Sequence, residues 1–376
     1  MQKTIFGILP IFVFLCALSA CKTDTNDACA TDFDQLSLLS NIGNNIILPS
    51  YQKLAQEATD LDVAAVDFAN SPSIGNLITL RNLFQGTWTT WQSASIFEFG
   101  PAETEELRTY MNNFPVFVTR LNDAITSGNY DLQTETYSYT RGFPALDYLL
   151  YGIANSDNDI VALYNTASDA NNRKQYLKDV TALIKQKANA VYDTWKVSGA
   201  NYLNTFTSTE GVANGKPISN LINQLNQTYE LFKNNKIGTP ISAKTGYVPI
   251  LPANVEAYYS RQSLALALAS VRANKAVFLG LYNNTDGVGL DDYLMATNAS
   301  KGNEALHTVI INQYDAAISA LVALDPSSLH DAINTDLNAV KTSYAAAQNQ
   351  VVYLKTDMPS ALCTSITYID NVDDGD

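Results

Sequence analysis

Apolar residues recur every three or four positions over most of the chain, which is the spacing of one buried face of an α-helix. The most regular stretches span residues 177–195, 306–324 and 333–358, and each predicts one long helix. Pro359 is expected to end the last of them, because proline cannot continue a helix interior. Strand-like alternation is weak, and residues 239–250 are interpreted as a loop. The pattern therefore predicts an all-α protein built of up-and-down helical bundles.

The first twenty residues have the pattern of an export signal. Lys3 precedes an apolar run, residues 5–18, which is too short to span a bilayer permanently but suits a signal-peptide core. The following Leu-Ser-Ala-Cys, ending at Cys21, is typical of a bacterial lipoprotein cleavage site. We expect residues 1–20 to be removed, Cys21 to carry the lipid, and residues 21–32 to form a polar tether. The alternative is an ordinary signal peptide that a cysteine follows by chance.

The remaining cysteines are interpreted in the light of that export signal. Cys16 leaves with the signal, so the mature chain keeps only Cys29 and Cys363 besides the lipidated residue. These two lie at opposite ends of the folded part, and compartments beyond the inner membrane can be oxidising. A disulfide between Cys29 and Cys363 and a pair of free thiols are both compatible with the sequence.

A polar run at residues 155–159, Asn-Ser-Asp-Asn-Asp, is the strongest candidate for a domain boundary. It divides the folded part into an N-terminal helical bundle, residues 33–157, and a C-terminal helical bundle, residues 158–376. Each part is long enough for four main helices.

Charge and composition exclude several classes of function. The 376 residues include 37 acidic and 23 basic side chains, a net charge of −14, whereas nucleic-acid binding needs clustered Lys and Arg. The two histidines, His307 and His330, are too few for a histidine-rich metal site or an HExxH zinc peptidase. The 21 tyrosines and 14 phenylalanines supply large side chains for a core, which argues against disorder.

One segment, Arg141 to Gly152, combines several helix-start signals. Gly142 permits a tight turn, and Pro144 suits the first position of a helix, where its missing N–H costs nothing. Asp147 follows within the first turn, where the helix dipole favours a carboxylate. From the residues alone, a well-capped core helix accounts for this pattern.

The same segment resembles the signature helix of the imelysin-like family, bacterial envelope proteins once classed as metallopeptidases. The usual family motif is GxHxxE followed by an aromatic residue and two leucines, and Gly142, Asp147 and the following Tyr-Leu-Leu keep its spacing. Pro144 stands at the histidine position and Asp147 at the glutamate position, so a branch with a GxPALE-type segment is more similar. Proline offers no lone pair to a metal, so the ligand pair implied by His and Glu is absent.

Other segments resemble the family in the right order along the chain. Trp88, Trp91 and the Phe-Glu-Phe-Gly-Pro run at 97–101 are similar to a tryptophan-containing helix and its FxFGP-like turn. Ser95 stands where that helix often carries an acidic residue, which weakens a metal site further. Three more matching segments are residues 110–115, similar to an INxWP turn, residues 259–264 and residues 287–294.

The resemblance implies two related four-helix bundles packed side by side, a site in the cleft between them, and involvement in iron uptake without an established reaction. The positions carried over as ligand-binding candidates are Arg141, Gly142, Pro144, Asp147, Trp88, Glu98, Arg261, Ser263 and Asp291. For three of these residues a purely structural role is the alternative to ligand binding: Trp88 as a core aromatic residue, Arg261 in a buried salt bridge that joins two helices, and Asp291 as a helix cap.

The sequence therefore predicts a non-catalytic, membrane-anchored lipoprotein of the cell envelope, in the periplasm or at the outer membrane. Its expected ligand is iron or an iron compound, since carboxylates and tyrosines suit ferric iron. No catalytic residue and no metal ligand is assigned. The expected partners are the membrane, through Cys21, and an iron-uptake protein, but no nucleic acid. A metal-dependent peptidase and a docking protein for an outer-membrane partner are the alternatives.

Overall fold

The computed structural model describes residues 32–324 and 328–368. In this part the α-helices are α1 (Gln35–Asn41), α2 (Leu48–Asn70), α3 (Ile74–Ala94), α4 (Pro101–Thr104), α5 (Leu107–Met111), α6 (Val118–Ser127), α7 (Gly142–Asp147), α8 (Asp157–Asn165), α9 (Ala170–Trp195), α10 (Tyr202–Thr207), α11 (Pro217–Leu231), α12 (Ser263–Phe278), α13 (Leu290–Ala296), α14 (Leu306–Val322), α15 (Leu329–Thr335), α16 (Leu337–Val352) and α17 (Met358–Ala361). Cys21, Cys29, the predicted signal and most of the predicted tether lie outside the described residues.

Strand structure in the described part is confined to one short antiparallel hairpin, β1 (Ser300–Lys301) and β2 (Glu304–Ala305). The predicted loop at 239–250 contains turns and one 3-10 turn, Ala243–Thr245. Short π-helical segments continue several helices, among them Tyr148–Gly152 after α7 and Phe232–Gly238 after α11. No helix in these ranges is both long and apolar enough to cross a bilayer. The all-α prediction is confirmed.

Two of the three predicted helices form as expected. The stripe at 177–195 lies in α9, and its members Leu177, Val180, Ile184, Ala188, Val191 and Trp195 are all buried. The stripe at 306–324 lies in α14 except for Leu324, which follows the helix end, and Leu306, Ile310, Tyr314, Ala317 and Leu321 are buried. Both helices therefore turn the predicted face toward the core, where removing each apolar side chain from water stabilises the fold.

The third predicted helix, at 333–358, is wrong as a single element. Asp336 has a non-helical backbone (φ −144°, ψ 76°), and its side chain accepts a hydrogen bond from the Ala339 backbone N–H. This N-cap starts α16 afresh after α15 has ended. Pro359 also does not end the helix at once, because the helical backbone that begins at Leu337 continues through the π-helical segment Tyr353–Asp357 into α17 and ends at Ala361.

The N-terminal bundle is formed by α2, α3, α7 and α9. α2 packs against both α3 and α9, and α7 closes the ring by contacting α3 and α9. The predicted boundary after residue 157 falls at the start of α8, and α9 beyond it packs against α2. The predicted bundle at 33–157 is thus completed by a helix from the other side of its predicted boundary.

The C-terminal bundle is formed by α11, α12, α14 and α16. α14 packs against α12 and α16, and α11 contacts the same two helices from the other side. The two bundles meet where α3 packs against α12. The described residues, 32–324 and 328–368, belong to one compact unit.

Candidate functional site

The signature helix α7 begins at a turn that only glycine fits. Gly142 has a φ of +72°, and a Cβ there would lie 2.3 Å from the backbone oxygen of Met111. Arg141 before it has extended backbone, and Pro144 lies buried in the first turn. The sequence signals for this helix start are therefore satisfied by local geometry.

Asp147 joins α7 to the segment that precedes α12. Its two carboxylate oxygens accept hydrogen bonds from the backbone N–H of Tyr259, at 2.8 Å, and of Ser260, at 3.0 Å. Burial raises the pKa of Asp147 to about 6, although the hydrogen bonds from residues 259 and 260 act in the opposite direction. The carboxylate thus holds two distant parts of the chain together and does not cap its own helix.

A small cavity of about 260 Å³ lies beside this carboxylate. Pro144 and Asp147 line it from α7, Phe114 and Pro115 from the segment after α5, and Tyr258 from the segment before α12. Burial, together with the nearby Tyr148 and Asp147, raises the pKa of the adjacent Tyr259 to about 12. The cavity therefore presents the neutral phenol of Tyr259 and the carboxylate of Asp147, whose two oxygens already accept backbone hydrogen bonds.

A buried polar cluster crosses between the bundles next to Asp147; we call Gln92, Asn112, Lys236 and Glu256 the interbundle cluster. The Lys236 ammonium forms a short ion pair with Glu256, and it donates to Gln92 at 2.9 Å. Asn112 donates to Glu256 at 2.7 Å. Burial lowers the pKa of Lys236, while the Glu256 carboxylate opposes that shift. Gln92 and Asn112 come from the N-terminal bundle, so this cluster joins both bundles.

Three of the predicted residues hold the N-terminal bundle together. Trp88 is fully buried, stacks on Phe143 with ring centroids 5.7 Å apart, and donates to Asn112 at 3.2 Å. Glu98 accepts from the Arg108 backbone N–H at 2.8 Å, and burial raises its pKa. Arg141 donates to the Leu132 oxygen at 2.6 Å while its guanidinium covers the Tyr110 ring.

The three predicted residues of the second half also make structural contacts. Arg261 pairs with Asp331 at 3.0 Å and contacts His330, but its side chain is 45% exposed, so the predicted burial of this salt bridge is wrong. Ser263 accepts from the Leu329 backbone N–H at 2.9 Å. Asp291 is the exception: it lies in the first turn of α13, the neighbouring Asp292 caps that helix, and the Asp291 Oδ1 atom is buried without a hydrogen-bond partner.

The structure thus brings Pro144 and Asp147 to one cavity and places the other candidates in local packing. Sequence reasoning proposed none of the four members of the interbundle cluster as a site residue, although Asn112 lies in the segment 110–115 that resembles an INxWP turn. Each is a single polar residue on an otherwise ordinary helix or loop, and they meet only because α3, the segment after α5, the extension of α11 and the segment before α12 pack together. No local pattern in the sequence marks Gln92, Lys236 or Glu256.

The donor set beside α7 does not fit a metal ion. Pro144 has no donor atom, both oxygens of Asp147 already accept backbone hydrogen bonds, and Ser95 donates its hydroxyl to the Gln92 oxygen. Across the described ranges, no three His, Cys, Asp or Glu side chains lie close enough to hold a metal. Ferric iron would need several free oxygen ligands in one place.

The chain is similar to known proteins along most of its length. The protein-family model described as Imelysin matches residues 47–358. Iron-regulated protein A of Synechococcus elongatus is 23% identical over 281 residues, which cover 72% of this chain and 70% of that protein.

Two solved structures share the fold. An iron-regulated protein A precursor from Parabacteroides distasonis superimposes with a TM-score of 0.72 at 17% identity, over 89% of this chain and 96% of that one. An imelysin-like protein from Psychrobacter arcticum gives a TM-score of 0.67 at 17% identity, over 90% and 99% of the two chains. At these identities the likeness shows the fold alone.

Proposed function

Since the chain belongs to the imelysin family, we propose that it is a non-catalytic, exported lipoprotein of iron uptake that binds an iron compound between its two bundles, beside α7. The name of the Synechococcus relative, iron-regulated protein A, supports the connection to iron. The solved Parabacteroides protein is described as a precursor, which supports export. The lipoprotein pattern that ends at Cys21 supports the anchor.

One observation carries the location of the ligand. The cavity beside Asp147 is walled by segments of both bundles and borders the interbundle cluster. Pockets at the interfaces of helical units, with a few convergent polar groups, are the usual places for ligands. Tyr258 and Tyr259, which line the cavity, supply those groups here.

The chemistry of this cavity favours an iron compound over the free ion. A phenol must lose its proton to bind ferric iron, and a pKa of about 12 for Tyr259 opposes that loss. Both carboxylate oxygens of Asp147 already accept hydrogen bonds from backbone N–H groups. A compound that brings its own iron ligands needs only hydrogen bonds and shape from the protein.

The same residues argue against the peptidase alternative. A metallopeptidase needs a metal-bound, activated water, and the position of the family histidine holds Pro144. A casein assay of the mature chain with added zinc, manganese or iron separates the two functions. Proteolysis above that of a buffer control would contradict the non-catalytic proposal.

The ligand proposal is tested by calorimetric titration of the mature chain with ferric citrate, ferric chloride and ferrous sulfate. We expect ferric citrate to bind with one site per chain and the simple salts to show no stoichiometric binding. Ala253, exposed at the cavity wall, is replaced in Ala253→Trp to fill the cavity. This variant should weaken citrate binding at least about tenfold, or 1.4 kcal/mol.

The matched control is Ala345→Trp, an exposed position of α16 that does not line the cavity. It should bind like the wild type. Absence of ferric citrate binding, or equal binding by both tryptophan variants, would contradict the proposed site. Either result would favour the alternative of a docking protein for an outer-membrane partner, because the cavity would then bind no small ligand.

A further inference from the structure

A second and larger cleft opens between the bundles on another face of α3. Its volume is about 780 Å³, within the range of small-molecule sites. Thr90 and Ser93 of α3 line it, whereas Trp88 and Gln92 of the same helix reach the interbundle cluster. None of the residues predicted from the sequence lines this cleft. It is therefore separate from the cavity beside Asp147.

The walls of this cleft carry hydrogen-bonding groups that the protein leaves unused. The Glu57 side chain is 26% exposed, and its Oε1 atom lies 3.7 Å from the Lys53 ammonium, which is too far for a hydrogen bond. A carboxylate oxygen on the cleft wall with no hydrogen bond inside the described part of the chain can accept one from a ligand.

Thr90 shows the same feature in α3. Its neighbours Thr87 and Thr89 donate their hydroxyls to backbone oxygens one turn earlier, each at 2.8 Å. Thr90 is only 8% exposed, yet its hydroxyl makes no hydrogen bond within the described part of the chain. Because Thr90 lines the cleft, its unpaired hydroxyl can pair with a ligand there.

The chemistry of the lining indicates the class of ligand. Lys53 and Glu57 are the charged lining residues, and their charges cancel. The other polar groups are neutral amides and hydroxyls, such as Gln52 and Asn189, and Tyr192 adds an aromatic wall. Amide, hydroxyl and carboxylate groups can accept from and donate to several hydroxyls at once, while a tyrosine ring packs against an apolar face.

We propose that this cleft is a binding site for a neutral, hydroxyl-rich small molecule of the carbohydrate class. The Glu57 carboxylate accepts from ligand hydroxyls, and Thr90 and Ser93 exchange hydrogen bonds with them. The α12 side of the cleft, Ala273, Ala276 and Val277, supplies apolar contact. The site is independent of the iron-compound site beside α7, since the two cavities share no lining residue.

The test uses the mature chain and three neutral probes: maltotriose, cellotriose and N-acetylated chitotriose, titrated calorimetrically up to about 10 mM. At least one probe should bind saturably with one site per chain. Glu57→Gln and Thr90→Val should each weaken that binding about threefold to tenfold, the cost of one hydrogen bond. Both variants should fold, because neither removes a well-formed hydrogen bond within the protein.

Two controls make the outcome specific. Glu210→Gln removes the same charge from an exposed position outside the cleft and should bind like the wild type. Ala253→Trp, which fills the cavity beside α7, should also leave carbohydrate binding unchanged. The proposal is overturned if none of the three probes binds, or if Glu57→Gln and Thr90→Val bind as tightly as the wild type.

Discussion

At the residue scale, the turn that begins the signature helix α7 depends on the absence of a side chain at Gly142. Replacing Gly142 by alanine should destabilise the protein by about 3 kcal/mol, because a positive φ costs an L-residue about 1–2 kcal/mol and the new Cβ meets the Met111 oxygen at 2.3 Å. Gly86 is the control: it lies inside α3 with open space around it, so Gly86→Ala should stabilise by about 1 kcal/mol. Urea denaturation measures both, and equal effects of the same sign would contradict the geometry.

Asp147 should make stability depend on pH. Its pKa is raised from 3.8 to about 6 by burial, so the folded state keeps a proton that the unfolded chain has already released. The stabilisation is full below pH 3.8 and is lost as the pH rises through about 6. As the pH rises between these limits, the free energy of unfolding of the wild type should fall by about 3 kcal/mol relative to that of Asp147→Asn, because each pKa unit corresponds to about 1.4 kcal/mol.

The measurement is the free energy of unfolding of both proteins at several pH values. Burial also raises the pKa of Asp291 to about 6, but this group is common to both proteins and cancels in the comparison. Parallel stability curves for the wild type and Asp147→Asn would show that the Asp147 carboxyl is not perturbed.

At the element scale, apolar periodicity predicts which face of a helix is buried but not where the helix stops. The spacing through 333–358 continues across Asp336, so the pattern looks like one helix. The chain nevertheless breaks there, because the Asp336 side chain competes for a backbone N–H and starts a new helix. In α9 and α14 no such capping residue interrupts the stripe, and those predictions are confirmed.

The contact between the bundles should depend on the Lys236–Glu256 ion pair. Lys236→Met or Glu256→Gln alone leaves a buried charge unpaired and should destabilise by about 3–5 kcal/mol. The destabilisation of the double variant should be smaller than the sum of the destabilisations of the two single variants, and the difference gives a coupling free energy of about 2–3 kcal/mol. Urea denaturation of the four proteins gives this coupling directly.

The matched control is the ion pair between Lys275 and Asp315, which is 2.6 Å long but whose Asp315 side chain is 57% exposed. A double-mutant cycle of this pair, with Lys275→Met and Asp315→Asn, should give a coupling free energy below about 1 kcal/mol. Equal coupling in the two cycles would mean that burial between the bundles does not strengthen the Lys236–Glu256 pair.

At the scale of the whole molecule, the two ends of the folded part are expected to be joined. Cys363 is disulfide-bonded, and Cys29 is its predicted partner. Digestion of the alkylated, unreduced mature chain should give a peptide that contains both cysteines and that disappears after reduction. Alkylation of Cys29 without reduction would contradict this pairing.

The membrane anchor is a prediction of the same scale. Cys21→Ser removes the residue that is expected to carry lipid, so the protein should move from the membrane fraction to the soluble fraction of its host. Cys16→Ser, within the predicted signal, should leave the membrane fraction unchanged. Membrane retention of the Cys21→Ser protein would contradict lipid anchoring.

Features that depend only on neighbours within a few helical turns follow from the amino-acid sequence alone. These are the helical stripes, the glycine and proline that start α7, and the resemblance that identified the family and its fold. The packing decided the rest: Asp147 meets the Tyr259 backbone across 112 positions, and Asn112 meets Glu256 across 144. Helix propensity and apolar spacing are local, whereas the partner of a buried polar group is chosen by how distant helices pack. The interbundle cluster and both cavities therefore became visible only in the tertiary structure.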